Sequence, residues 1–342
     1  MTSLVAGGSG YFGHVLVNQL LARGEEVAVF DLVDSTERPA NVRFIQGDIR
    51  DPAAVAAACA GMDFVYHNIA QLALEKSHAL LHSVNRDGTE NMLRAARDAG
   101  ARKLVYTSTA AVYGVPRKLP LTTDMEPTPD EEYGLAKYEG ELCCRKHMAE
   151  GFDVAILRPM PIVGSGRLGI YHILFEWIRG GYNVPVLGSG NNRFQFIHAL
   201  DFAEACILAA HKPGSGEYNI GTDRYGTMRD MLEELCAAAG TGSRVRSVPM
   251  APAVWGMKLT TLLGLSPLGL FHAQLYGRSV YVDITREKAE LAWQPRYSNS
   301  EMLIENYQWY LENRERIMAD TARTSSRGPL KHGVLNLVKH LL

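Results

Sequence analysis

The sequence predicts a doubly wound α/β fold: a parallel sheet with helices on both faces. Three observations carry that prediction. Short, continuous apolar runs alternate with amphipathic segments over the first 160 residues, the pattern of strands buried on both faces between helices. A glycine-rich turn, Gly7-Gly8-Ser9-Gly10-Tyr11-Phe12-Gly13, separates the first apolar run from the first amphipathic one. Phe194 to His198, Asp201 to Ala210 and Glu217 to Ile220 read as one more unit of the same sheet.

In chain order, Leu4 to Ala6 is the first strand and Tyr11 to Ala22 the helix after it. Val27 to Phe30 and Val42 to Gln46 are the next strands, followed by a helix near Ala53 to Cys59. Phe64 to His67, Lys103 to Thr107 and Val154 to Leu157 continue the sheet, with long helices over Leu80 to Ala99 and Tyr133 to Ala149 between them. After Pro159 the pattern loosens into shorter elements and loops rich in Gly and Pro. Residues 1–160 therefore read as the main domain, 161–318 as a smaller substrate-binding region interleaved with the sheet, and 319–342 as a polar linker with an amphipathic basic tail.

Composition excludes several classes. At 342 residues, 46% hydrophobic and 21% charged, the chain has ample core for a globular protein. Its net charge of -2, with no dense Lys/Arg run, speaks against nucleic acid as a partner. The cysteines (Cys59, Cys143, Cys144, Cys206, Cys236) are odd in number and lack Cys-x-x-Cys spacing, so neither disulfides nor a metal site is expected, and the setting is cytoplasmic. The first strand begins at Ser3, leaving no room for a leader, and no apolar run is long enough to span a membrane. Two apolar stretches stand out. Ala251 to Tyr276 is broken by Pro252, Gly256, Gly264, Pro267 and Gly269, and the tail 331–342 places Val334, Leu335, Leu337, Val338, Leu341 and Leu342 on one helical face. Such a tail fits either peripheral contact with the inner face of a membrane or docking on the body or a second subunit.

The position of the glycine turn gives it chemical meaning. Between a strand and a helix, Gly7, Gly10 and Gly13 permit a tight turn and close approach to a pyrophosphate, whose charge rests on the helix N-terminus. Asp31 ends the second strand, where a carboxylate accepts both ribose hydroxyls of a dinucleotide. It would repel a 2'-phosphate, which favours NAD over NADP. Asp48 and Ile49, after the third strand, fall beside the adenine by the same logic.

Tyr133 and Lys137, four residues apart, share one helical face. A free tyrosine titrates near ~10, so proton transfer near neutrality needs a drop of roughly 2 to 3 units, about 3 to 4 kcal/mol. A cation at about 4 Å supplies about 4 kcal/mol at an effective dielectric of about 20. Lys137 thus has the strength to make Tyr133 an acid/base for a substrate hydroxyl.

With these features in order, and with Tyr106-Thr107-Ser108-Thr109-Ala110-Ala111-Val112-Tyr113-Gly114 between them, the chain resembles the extended short-chain dehydrogenase/reductase family over about residues 3 to 315. Further marks are Gly47 to Asp51, His67 to Ala70, Asn85 to Leu93, Arg158-Pro159, His198 to Asp201 and Leu291 to Pro295. The resemblance implies a Rossmann-type sheet binding NAD, with Tyr11, Phe12, Ile49, His67, Ala70 and Asn85 among the cofactor contacts. It implies that Thr109 hydrogen-bonds the reacting oxygen, with Ser108 as understudy, that Tyr133 moves its proton, and that Lys137 tunes Tyr133 and holds the nicotinamide ribose. It also implies a homodimer through the two long helices. The complete set of Thr109, Tyr133 and Lys137 speaks against a non-catalytic NAD-binding regulator.

Dehydratases of this family carry an Asp-Glu pair where this chain has Ala110 and Ala111. A methyl group transfers no proton, so alcohol-ketone redox chemistry is expected. The candidates are a sugar-nucleotide 4-epimerase and a 3β-hydroxysteroid or 4-carboxysterol type of dehydrogenase, taking a nucleotide sugar or a lipidic alcohol. Pro161 replaces a substrate-contacting Asn of the former group, and Arg193 stands one place before a diphosphate-binding Arg slot, which holds Phe194. Arg278 sits where sugar-nucleotide enzymes place a second phosphate-binding Arg.

Overall fold

The computed structural model describes residues 1–71, 77–251, 253, 255 and 277–319. The chain divides into two compact units, the first made of residues 1–161, 199–221 and 282–295.

The first unit begins with β1 (Thr2–Ala6), α1 (Tyr11–Ala22), β2 (Glu26–Asp31), β3 (Arg43–Gln46), α2 (Pro52–Cys59) and β4 (Phe64–His67). Then come α3 (His78–His82), a π turn over Ser83–Asp87, α4 (Gly88–Asp98), β5 (Lys103–Thr107), a 3₁₀ turn over Ala110–Tyr113, α5 (Glu132–Ala149) and β6 (Val154–Pro159). The remaining strands and helices, in chain order, are β7 (Ile162–Val163), α6 (Tyr171–Arg179), β8 (Val184–Leu187), β9 (Ile197–His198), α7 (Ala199–His211), β10 (Gly216–Ile220), α8 (Met228–Ala239), β11 (Val245–Val248), α9 (Thr285–Leu291) and α10 (Asn299–Ala319).

Seven strands form one parallel sheet in the order β10-β6-β5-β4-β1-β2-β3. The order reverses between β1 and β4, the switch point at which doubly wound sheets bind ligands. Val5, Val29, Val65 and Ile156 are buried, as strands with helices on both faces require. The first unit's core joins Leu4, Phe30, Val65, Leu104 and Ile156 to Val55, Met92 and Cys144 from the covering helices. The predicted long helix before β5 is interrupted by the π turn at Ser83–Asp87, which carries Asn85.

A charged network ties this unit together. Arg158, in β6, is fully buried and forms a two-pronged pair with Glu141 of α5, itself fully buried, at 2.8 and 2.7 Å. The same guanidinium donates to Tyr113 Oη at 2.9 Å and to Glu217 of β10 at 2.6 Å. Glu217 also receives Arg145 of α5 at 2.7 and 2.9 Å. Tyr113 Oη donates in turn to Asn219 Oδ1 at 3.0 Å. One cation thus fixes α5, β6, β10 and the turn after β5.

The second unit comprises residues 162–198, 222–281 and 296–342. Within it β8 pairs with β11 and β7 with β9. Its core gathers Phe175, Ile178, Val186, Leu232, Leu235, Leu303, Tyr307 and Tyr310. The expected strand Phe194 to His198 does not join the large sheet. Only Ile197–His198 is a strand, paired with Ile162–Val163. Gln195 N–H instead donates to Val280 O at 3.2 Å, within an isolated parallel bridge of Phe194 to Val280, and Phe196 N–H donates to Asn299 Oδ1 at 3.0 Å. The stretch Ala251 to Tyr276 lies almost wholly outside the described residues, as does the tail 331–342. Among the described residues no helix is long and apolar enough to cross a membrane.

Removing one partner of a buried ion pair costs about 3 to 5 kcal/mol, because the other charge is left without compensation. Arg158→Met should therefore lower the urea midpoint by an amount equivalent to about 3 to 5 kcal/mol. The Arg158→Met/Glu141→Leu double variant should recover more than half of that loss.

Candidate active site

The glycine turn is built so tightly that Gly7, Gly8 and Gly13 leave no room for a Cβ, whereas one on Gly10 would stand 3.3 Å from Gly7 O. A Cβ on Gly13 would lie 2.1 Å from Gly7 O, and one on Gly8 would meet the Val29 side chain at 2.5 Å. Gly7 takes φ +82, open to glycine at no steric cost. Helix α1 follows with Gly10 at its N-cap, no side-chain cap, and no acidic residue in the first turn, which leaves the positive end of its dipole to an anion. Tyr11 and Phe12 are buried in that first turn. Asp31 Oδ2 accepts from Ser9 N–H at 3.1 Å and Oδ1 from Leu32 N–H at 2.8 Å, so the carboxylate is anchored beside the turn. Burial holds its pKa above the usual carboxylate range.

The ends of β3 and β4 complete that side. Asp48 is paired with Arg50, whose guanidinium hydrogen bond pulls its carboxyl below the usual range. Ile49 is buried against Gly88, where a Cβ would approach it to 2.8 Å. His67 is fully buried and contacts Thr89 Oγ1 through Nε2 at 2.9 Å. Thr89 gives its own proton to Asn85 O, so His67 Nε2 is the donor, and burial keeps the ring neutral. Asn85, also fully buried, clamps the segment that carries Ala70: its Oδ1 accepts from Gln71 N–H at 2.8 Å and its Nδ2 donates to Gln71 O at 3.0 Å. Asn85 thus acts on the loop rather than outward.

Thr109 follows β5 and caps the 3₁₀ turn, its Oγ1 accepting from Ala111 N–H at 3.2 Å. Helix α5 carries Tyr133, half-buried, and Lys137, which is 1% exposed. The helix reaches these positions because glycine stands at two contacts. A Cβ on Gly134 would be 2.7 Å from Ala111 O, and one on Gly140 would be 2.3 Å from Tyr106 Oη. The Lys137 ammonium sits 4.1 Å from the centre of the Tyr106 ring. Burial pulls its pKa down to about 7, against the opposing pull of the Glu141 carboxylate. Spacing on the helix alone treats Lys137 as a fixed cation; burial makes that charge conditional.

Ser108 donates its hydroxyl to Glu141 Oε1 at 2.6 Å and belongs to the buried network. Pro161 is exposed at the end of its segment in the first unit. In the second unit Arg193 and Arg278, both exposed, lie on adjoining segments: Val280 N–H donates to Arg193 O at 2.8 Å, and Asn192 Nδ2 to Arg278 O at 3.1 Å. Sequence reasoning missed Glu131, whose carboxyl burial pushes up to about 7, two residues before Tyr133. It also missed Tyr106 and Glu141. Glu141 stands four residues after Lys137, one further turn along the same face, which was a legible signal.

The dinucleotide suggested by sequence fits this half of the site. The turn is closed on its inner side by contacts that exclude a Cβ at Gly7, Gly8 and Gly13, the helix dipole is uncapped, and Asp31 presents a carboxylate where a ribose is expected.

Because the folded state holds Lys137 near 7 and the unfolded chain near the ordinary lysine value, the unfolded chain binds more protons between those values. Wild-type stability should then rise with pH from neutrality toward ~10. Lys137→Met should raise the melting temperature of the cofactor-free protein at pH 7, by up to roughly 4 kcal/mol of stability, and the gain should shrink as the pH approaches ~10.

Comparison with known proteins identifies the family and agrees with the fold. Residues 3–221 match the NAD dependent epimerase/dehydratase family. The chain is 45% identical over its whole length to protein y4nG of Sinorhizobium fredii, covering 86% of that protein. It is 28% identical to a dTDP-glucose 4,6-dehydratase of Streptomyces niveus, with 92% of this chain and 94% of that one aligned. The solved structure of Thermotoga maritima UDP-glucose 4-epimerase with UDP-glucose shares the fold at a TM-score of 0.76 and 23% identity, covering 92% of this chain and 99% of that one. The chain belongs to the NAD dependent epimerase/dehydratase family, and its cofactor is NAD.

Proposed function

We propose that this enzyme is a sugar-nucleotide 4-epimerase, acting on a secondary alcohol by hydride transfer. The observation that carries the reading is the arrangement around α5. Thr109 and Tyr133 stand on elements held by one buried network, while the two positions after Thr109 are the alanines Ala110 and Ala111. Elimination of water, as in the Streptomyces niveus dehydratase, needs proton-transfer groups there, and methyl groups supply none.

In this reading Thr109 Oγ1 hydrogen-bonds the reacting oxygen and Tyr133 Oη takes its proton. Lys137, when charged, favours the phenolate and holds ribose hydroxyls. NAD, when bound, supplies the acceptor for the hydride that leaves the carbinol carbon. Gly7, Gly10 and Gly13 seat the pyrophosphate and Asp31 the adenosine ribose, with Asp48, Ile49, His67, Ala70 and Asn85 shaping the remainder. With the hydride delivered back to the opposite face of the ketone carbon, Tyr133 would return the proton to its oxygen, giving the epimeric alcohol. Arg193 and Arg278, exposed on adjoining segments, suit the diphosphate of a nucleotide sugar. Leu135 and Leu142, exposed on α5, suit a second copy of the chain in a homodimer.

Pro161 and Phe194 favour a second reading, in which a lipidic alcohol of the 3β-hydroxysteroid or 4-carboxysterol type is oxidised. Both residues stand where a sugar-nucleotide enzyme would offer polar contacts.

Incubation with NAD and a panel of UDP-sugars and 3β-hydroxysterols separates the two. Sugar interconversion without net change at the NADH absorbance band is expected; NADH accumulating with a sterol alone would select the second reading. Tyr133→Phe should lower turnover by at least about 10²-fold and leave NAD affinity within a few-fold.

A further inference from the structure

We propose that Tyr106 is a positioning residue for the reaction, its ring serving as the seat that keeps the Lys137 ammonium directed at the site. The inference rests on the reading of Lys137 given above and goes beyond it. Lys137 is 1% exposed, and among the described residues no carboxylate forms an ion pair with it. A bare ammonium in such a place is expensive unless something compensates it. Among the groups around it only Glu141 acts on it as an ion, and its oxygens are already engaged elsewhere. His67, from β4, is held neutral by burial. Glu141, one turn along α5, gives its oxygens to Arg158 and Ser108. The Cys144 thiol is pushed far up by burial and stays protonated. Tyr133 shares the helix and is the group Lys137 is to serve.

What remains is the face of Tyr106, 4.1 Å from Nζ, with the negative side of the ring quadrupole turned to the cation. The arrangement is built in. Tyr106 Oη donates to Lys137 O at 3.3 Å, and Gly140 is the residue that makes room for it, since a Cβ there would stand 2.3 Å from that oxygen. Tyr106 lies in β5, three residues before Thr109, and reaches across to α5 beneath Lys137. The ring therefore links the strand that presents Thr109 to the side chain that tunes Tyr133.

The test is a titration of Lys137 itself, in NAD-free protein labelled with ¹³C-lysine, following the Cε resonance that disappears in Lys137→Met. Wild type should titrate near the value of about 7 that burial imposes. Tyr106→Phe keeps the ring and should titrate with wild type. Tyr106→Leu, and pentafluorophenylalanine at position 106, reverse or remove the quadrupole and should lower the midpoint by about one pH unit. Pentafluorophenylalanine keeps the ring's shape, so it reads the effect even if the leucine variant fails to fold. Coincident titration of wild type and the pentafluoro protein would overturn the proposal. This readout is independent of turnover, so failure of the reaction reading through Tyr133→Phe would leave it standing.

Discussion

Arg158 is the interaction on which the rest of the first unit depends. A fully buried guanidinium is tolerable only when its donors are satisfied, and here they go to Glu141, Tyr113 and Glu217. Those partners lie on α5, on the turn that follows Thr109, and on the edge strand. Ser108 closes the circle by donating to the same Glu141. The positions of Thr109 and of Tyr133 are thus referred to one charge, so neither element can shift without leaving that charge uncompensated. The glycines at 134 and 140 express the same constraint sterically, because α5 lies against Ala111 and Tyr106 with no room for a Cβ.

This rigidity is set against the electrostatics of Lys137. Packing α5 so closely removes water from the ammonium and pulls its pKa toward neutrality. The proposed tuning of Tyr133 needs that ammonium charged. A site that destabilises its own cation in the cofactor-free state gains from a ligand that restores the charge, since ribose oxygens favour the protonated form. On the proposed mechanism, the pH dependence expected of the melting temperature and the chemistry are two consequences of one burial.

The sheet was legible because strands buried on both faces leave continuous apolar runs, and Phe64–His67 and Lys103–Thr107 agree residue for residue. The glycine turn was legible because its spacing encodes a steric demand that the structure displays at Gly13. Phe194 to His198 misled, since an apolar run does not reveal that Gln195 and Phe196 bond to Val280 and Asn299, both distant in sequence. The same limit hid the Arg158 network, whose members are scattered from residue 108 to residue 219. It also hid the burial of Lys137, because spacing gives a side chain's neighbours on its own helix and says nothing of the strand beneath. Ser108 reads as a spare catalytic hydroxyl from its place beside Thr109, and only the fold reveals Glu141 as its partner.

The fate of a carbon-bound label is the sharpest test of the proposal that a site with Tyr133 as its proton-transfer group, and alanines at 110 and 111, exchanges a hydride with NAD. The protein would be incubated with NAD and a UDP-sugar deuterated at C4, and the label followed by mass spectrometry in sugar, cofactor and solvent. The account predicts the 4-epimer with deuterium retained at C4 and none in water. Deuterium washed out into solvent, or an epimer formed without passage of the label through the cofactor, would contradict it.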